Sequence, residues 1–202
     1  MIVSDIYGTA AGETIKGDGA NNTIHAAGGN DTVTGRNGHD TIYGGGGDDV
    51  LSGGSGHDAL YGGNGHDNLD GGAGNDLLDG GGGRDRLYGG KGHNSLTGGN
   101  GNDTFVINGD LAGSVLDTVQ DFDAGRHNAK MVYHDDIELF NVGGDDVSFH
   151  QAGNDVQLFI GSQMVAIFKG STGMLSAYDV MGSVHIIGGE PHSMTVFDGW
   201  PV

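Results

Sequence analysis

From Gly8 to Val106 the chain repeats itself every nine residues without an insertion, so that Gly44-Gly45-Gly46-Gly47-Asp48-Asp49-Val50-Leu51-Ser52 aligns with Gly53-Gly54-Ser55-Gly56-His57-Asp58-Ala59-Leu60-Tyr61. Eleven units begin at Gly8, Gly17, Ala26, Gly35, Gly44, Gly53, Gly62, Gly71, Gly80, Gly89 and Gly98. A short period of this kind marks a solenoid, because one unit cannot bury its own apolar side chain and must stack on its neighbours. The eighth position is always apolar: Ile15, Ile24, Val33, Ile42, Leu51, Leu60, Leu69, Leu78, Leu87, Leu96 and Phe105. Its neighbours are mostly polar. One inward residue between two outward ones is a three-residue strand of period two, and the six residues before it must turn the chain. The period therefore predicts an all-β chain of short stacked strands.

Such a chain needs help to fold. It holds 44 glycines and no cysteine, so the backbone loses unusual entropy on ordering and no disulfide or thiolate-bound metal offsets the loss. The formal charge of −19, from 27 acidic and 8 basic residues, disfavours nucleic acid and anionic membranes and attracts cations. Without a counter-charge, an acidic and glycine-rich chain is expected to be disordered. No apolar run approaches the roughly 18 residues of a membrane span. Met1-Ile2-Val3-Ser4-Asp5 lacks the basic and apolar regions of a cleaved signal peptide.

The sixth position is acidic or amide throughout. It is Asp at Asp31, Asp40, Asp49, Asp58, Asp67, Asp76, Asp85 and Asp103, with Glu13, Asn22 and Asn94 in the other units. This pattern, GGxGxDxUx, resembles the repeats-in-toxin (RTX) family, whose nonapeptides bind Ca²⁺. The resemblance implies a parallel β-roll, a right-handed β-helix in which two nonapeptides make one coil. Residues eighteen apart are then stacked on one edge, and each ion lies between stacked turns and shares their Asp carboxylates. One column would hold Glu13, Asp31, Asp49, Asp67, Asp85 and Asp103, and the other Asn22, Asp40, Asp58, Asp76 and Asn94. Six pairs have Asp on both sides, and Asp76/Asn94 makes a weaker seventh.

The chemistry suits the resemblance, because Ca²⁺ takes six to eight oxygens from carboxylates and backbone carbonyls. Turn backbone at positions 44, 46, 53, 62 and 64 (Gly44, Gly46, Gly53, Gly62 and Asn64) is expected to supply carbonyl oxygens. About six to eight ions would add roughly +12 to +16 and bring the chain near neutrality. GxGxxG matches within the repeats carry no meaning, since glycine density makes them inevitable. A lone Asp in a glycine turn would be an ordinary Asx-turn; eight in phase are not.

The expected organisation is an N-terminal cap with the first degenerate repeat over 1–16, the roll over 17–106, and a C-terminal β-rich cap with a secretion signal over 107–202. Ala11 and Ala20 replace the fourth-position glycine of the first two units, as expected of an atypical end. Beyond Phe105, Val147–Phe149, Val156–Ile160 and Met164–Phe168 read as strands, the last two joined by a hairpin at Gly161-Ser162. Met174–Met181 reads as a helical turn. The family resemblance implies an uncleaved signal near the C-terminus, read by type I secretion machinery, and an extracellular location.

No HExxH, GxSxG or Walker motif occurs in the chain, so no enzyme is expected. His39, His57, His66 and His93 take the variable fifth position, where exposed turn residues are expected rather than transition-metal ligands. The functional expectation is a non-enzymatic binding, matrix or adhesion protein acting at surface polysaccharide. The alternative is the calcium-binding secretion module of a larger protease, lipase or polysaccharide epimerase. Met1, seven residues before Gly8, favours the first. Tyr43 and Tyr61, one coil apart at the outward ninth position, are the candidate partner surface, pictured as a flat apolar patch.

Overall fold

The computed structural model describes residues 4–108, 116–123, 135–142, 146–169, 180–181, 183–187 and 194–197. Among them run β1 (Ser4–Tyr7), β2 (Thr14–Lys16), β3 (Asn22–His25), β4 (Thr32–Asn37), β5 (Thr41–Gly46), β6 (Val50–Ser55) and β7 (Ala59–Gly65). They are followed by β8 (Asn68–Ala73), β9 (Leu77–Gly83), β10 (Arg86–Tyr88), β11 (His93–Gly101), β12 (Thr104–Asn108) and β13 (Leu116–Val119). The last are β14 (Asp136–Phe140), β15 (Val147–Ala152), β16 (Asp155–Ile160), β17 (Gln163–Phe168), β18 (Val184–Ile187) and β19 (Met194–Phe197).

Each glycine turn sends the chain from one sheet to the other, so odd and even repeat strands separate. One sheet has 11 strands in the order β1-β3-β5-β7-β9-β11-β13-β17-β16-β15-β19, and the other has 8 in the order β18-β14-β12-β10-β8-β6-β4-β2. Within the repeats every pairing is parallel with a register of two units: Ile24 faces Ile42, Leu60 faces Leu78 and Leu51 faces Leu69. The eighth-position side chains therefore stack into one core between the sheets. Ile15 is 8% exposed, and Ile24 through Phe105 are 0% exposed. The fold is the all-β stack of short strands expected from the period, arranged as the parallel β-roll that the family resemblance implies.

Two features were not expected. The roll begins before the first unit: β1 pairs with β3 so that Ile6 faces Ile24 and Tyr7 faces His25. It also continues beyond the last. β13 lies on β11 with Val119 opposite Leu96, and β14 lies on β12 with Ile137 opposite Phe105. Phe122 meets Phe105 at 6.0 Å and Phe168 edge-on at 5.2 Å, so aromatic rings carry the core from the repeats into the cap.

The three expected cap strands are present as β15, β16 and β17, antiparallel, with Gly161-Ser162 between the last two. They extend the 11-stranded sheet because β17 pairs in parallel with β13. Of the expected helical turn at Met174–Met181, only Val180 and Met181 lie within the described residues, and both are helical.

Candidate metal centre

Along each edge of the roll the sixth-position residues form a continuous ladder. Asp31, Asp49, Asp67 and Asp85 donate their backbone N–H to the Oδ1 of Asp49, Asp67, Asp85 and Asp103 at 2.8, 2.8, 2.8 and 2.9 Å. On the other edge Asn22, Asp40, Asp58 and Asp76 donate to Oδ1 of Asp40, Asp58, Asp76 and Asn94 at 2.7, 2.8, 2.9 and 2.9 Å. All eight repeat Asp side chains are buried, between 1% and 3% exposed.

One oxygen of each carboxylate is thereby placed, and the other is left over. The Oδ2 atoms of Asp31, Asp40, Asp49, Asp58, Asp67, Asp76 and Asp85 are buried without a hydrogen-bond partner. A buried carboxylate oxygen with nothing to accept is costly, and seven in register fit a column of bound cations. Glycine keeps the space beside them open. A Cβ on Gly44 would overlap Asp49 Oδ2 and come within 2.7 Å of the Gly62 carbonyl oxygen. The same holds at Gly53, against Asp58 Oδ2 and the Gly71 carbonyl at 2.8 Å, and at Gly62, against Asp67 Oδ2 and the Gly80 carbonyl at 2.6 Å. Each cradle thus joins a carboxylate oxygen to a carbonyl of the next coil, and Gly45 and Gly47, at φ 107° and 118°, make the turn that brings them together. Hard oxygen donors in this number suit Ca²⁺; the Asp carboxylates and the first-position carbonyls would hold it.

The third position is placed differently. The Asn64 carbonyl accepts the Gly47 N–H at 2.9 Å, while a Cβ at Gly46 would meet nothing within 4 Å.

Electrostatics favours a cation at these carboxylates. Burial, opposed by the backbone hydrogen bond and aided by neighbouring carboxylates, pushes Asp67 and Asp76 up to about 6 and Asp85 up to about 7. Asp40, Asp49, Asp58 and Asp103 are raised as well, burial again being the largest cause. A divalent cation would reverse this by favouring the ionised form.

Both columns run past the repeats. Asn94 Nδ2 donates to Asp117 Oδ1 at 2.8 Å, and Asp103 N–H donates to Asp135 Oδ1 at 3.0 Å. Burial raises both carboxyls to about 7. Asp135 Oδ2 takes the Asp123 N–H at 2.8 Å, and Asp121 takes the N–H groups of Gly98 and Gly99 at 2.9 and 2.8 Å, so carboxylates close the last turns. Asp117 and Asp135 escaped the sequence reading because they lie outside the nine-residue phase. The local triplet was there to find: Asp117-Thr118-Val119 and Asp135-Asp136-Ile137 repeat the Asp-x-apolar form of Asp31-Thr32-Val33.

The fifth position is exposed, as expected, but it is also a ladder. His39 Nδ1 accepts the His57 N–H and His57 Nδ1 the Asn75 N–H, both at 2.7 Å, and His66 Nδ1 accepts the Arg84 N–H at 2.8 Å. Asn21, Asn30, Asp48 and Asn75 do the same with their side-chain oxygens. These three histidines thus brace the turn backbone of the next coil.

Tyr43 and Tyr61 stack at 5.0 Å, and the ladder continues through His25 (4.8 Å) to Tyr7 (5.1 Å), with ring planes within 9°. The flat patch pictured from the sequence is thus a pile of rings: the inner faces cover one another, and a partner would meet their edges. Tyr7, 69% exposed, was missed because it precedes the first repeat.

Two parallel sheets wound by glycine turns, each edge carrying a column of half-satisfied buried carboxylates, define a calcium-binding β-roll. The family described as RTX calcium-binding nonapeptide repeat (4 copies) matches residues 7–42, 43–78 and 79–106, and the chain belongs to this family. No curated protein matches the chain. Among solved structures, the extracellular lipase LipA from Serratia marcescens is similar at 20% identity and a TM-score of 0.41, over 87% of this chain and 40% of the lipase chain. The chain therefore spans less than half the length of that lipase.

Proposed function

We propose that this chain is exported unfolded, folds outside the cell when about six to eight calcium ions fill the two columns, and then serves as a non-enzymatic binding or matrix protein at surface polysaccharide. The observation that carries the reading is the run of seven buried, unpartnered Asp Oδ2 atoms beside glycine cradles. A net charge of −19 gathered partly into two buried columns opposes folding until cations neutralise it. Ions that bind only the folded roll then stabilise it by mass action. Low cytosolic calcium keeps the chain open for type I export, and extracellular calcium closes it.

Circular dichroism of the whole chain tests the folding step. A chelator should abolish the β signal, and Ca²⁺ at about 10⁻⁴ to 10⁻³ M, the range of extracellular modules, should restore it. A β-rich chelated protein that ignores calcium would overturn the reading. Calcium-dependent retention on the producing cell's polysaccharide tests the second step; folded protein that is not retained would remove the binding role and leave the folding role standing.

A further inference from the structure

The outward face of the 8-stranded sheet carries a shallow cleft where repeats give way to cap, lined by Arg86, Tyr88, Val106, Asn108, Phe140 and Asn141 and holding about 210 Å³. Its walls come from three successive strands, since Tyr88 lies beside Val106 and Asn108 beside Phe140.

Its chemistry is specific. Arg86 is held by Glu138 through Nε at 3.2 Å and a second nitrogen at 2.7 Å, and its guanidinium lies 6.0 Å from the Phe140 ring centroid. The one cation of the cleft is therefore already balanced. Asn141 donates to Asn108 Oδ1 at 3.2 Å, and Asn108 donates to the Tyr88 hydroxyl at 3.4 Å. This relay leaves the Asn141 carbonyl to accept and the Tyr88 O–H to donate. Asn141 sits at φ 55°, a left-handed conformation that asparagine tolerates and that turns the chain at the end of β14. Apolar rings with planar amides and a hydroxyl at the rim match a pyranose, whose C–H face packs on an aromatic surface while its hydroxyls both donate and accept. In a molecule of net charge −19 a cleft with no unbalanced cation disfavours polyanions.

We infer that this cleft binds a neutral hexose chain, with Tyr88 and Phe140 as the packing surface and the Asn141 carbonyl and Tyr88 hydroxyl as the hydroxyl-reading groups, which Asn108 holds in place. The inference rests on the polysaccharide reading above and names its site and ligand class. It also moves that site away from the Tyr43–Tyr61 ladder, where ring faces are already covered.

The test is affinity electrophoresis of the calcium-loaded full chain in native gels containing dextran, galactomannan or alginate. At least one neutral polysaccharide should retard the protein and alginate should not. Asn141→Gly, which keeps the left-handed backbone, and, separately, Phe140→Ala should weaken retardation tenfold or more, with the calcium midpoint of folding by circular dichroism as the check on structure. Retardation unchanged in folded variants removes the cleft but leaves polysaccharide binding standing. Retardation by alginate alone overturns the neutral-ligand claim. No retardation by either neutral polymer, with calcium folding intact, overturns the cleft and the polysaccharide role together.

Discussion

Gly44 and Gly46 stand two residues apart in one turn and should respond to alanine in opposite directions. At neither position does the backbone adopt a positive φ, so an alanine is not strained by its dihedral. At Gly44 the added methyl would overlap Asp49 Oδ2 and press within 2.7 Å of the Gly62 carbonyl oxygen, so it fills the space assigned to an ion and pushes on backbone. Overpacking of this kind costs about 1–3 kcal/mol. At Gly46 the methyl meets nothing within 4 Å, and the loss of unfolded-state freedom stabilises by about 0.4–1 kcal/mol. If about six ions bind with folding, a change of about 2 kcal/mol spread over six RT shifts the calcium midpoint about 1.8-fold, and 0.7 kcal/mol shifts it about 1.2-fold. Calcium titration followed by far-UV circular dichroism should therefore place Gly44→Ala at a higher midpoint than wild type, higher still if one ion is lost, and Gly46→Ala slightly below. Equal midpoints for the two variants would refute the cradle.

Without calcium, acid should favour the roll. Asp67 and Asp76 near 6 and Asp85, Asp117 and Asp135 near 7 lie above their ordinary 3.8, so the folded state holds more protons and loses stability as pH rises from about 4 to 7. The β signal of the chelated chain should then grow on acidification through this window, while the calcium midpoint rises because ions must displace protons; a chelated chain indifferent to pH would contradict the shifts. Asp58→Ala should raise the calcium midpoint more than Asn22→Ala, because Asp58 stands between Asp40 and Asp76 whereas Asn22 is near an end; equal shifts would contradict the two columns. Tyr43→Ala/Tyr61→Ala removes two stacked pairs, each worth about 0.5–1.5 kcal/mol, and should lower thermal stability in calcium without altering polysaccharide retention; lost retention in folded protein would return the partner surface to the ladder.

The repeats were legible because strand and turn recur at a fixed spacing, so that one phase places core, carboxylates and outward faces together. Legibility failed where the spacing broke. Asp117 stacks on Asn94 across 23 residues and Asp135 on Asp103 across 32, and no period links them. The cap hairpin was readable from its local alternation, but its parallel pairing with β13 is a non-local contact that no local pattern encodes. The fifth position looked variable because Asn, Asp and His share no bulk or charge; what they share is an acceptor at the same reach from the backbone. The tyrosines were found, but not the direction of their faces, since stacking depends on what lies one coil above and below.

Amide hydrogen exchange, with and without calcium, measures the central claim most directly, because the backbone N–H groups of Asp31, Asp40, Asp49, Asp58, Asp67, Asp76 and Asp85 are themselves bonded into the columns. With calcium in the millimolar range these amides and those of the core strands should be strongly protected, and with chelator they should exchange at the rate of an open chain. Equal protection in both conditions would show that the roll folds without its ions and would contradict the account.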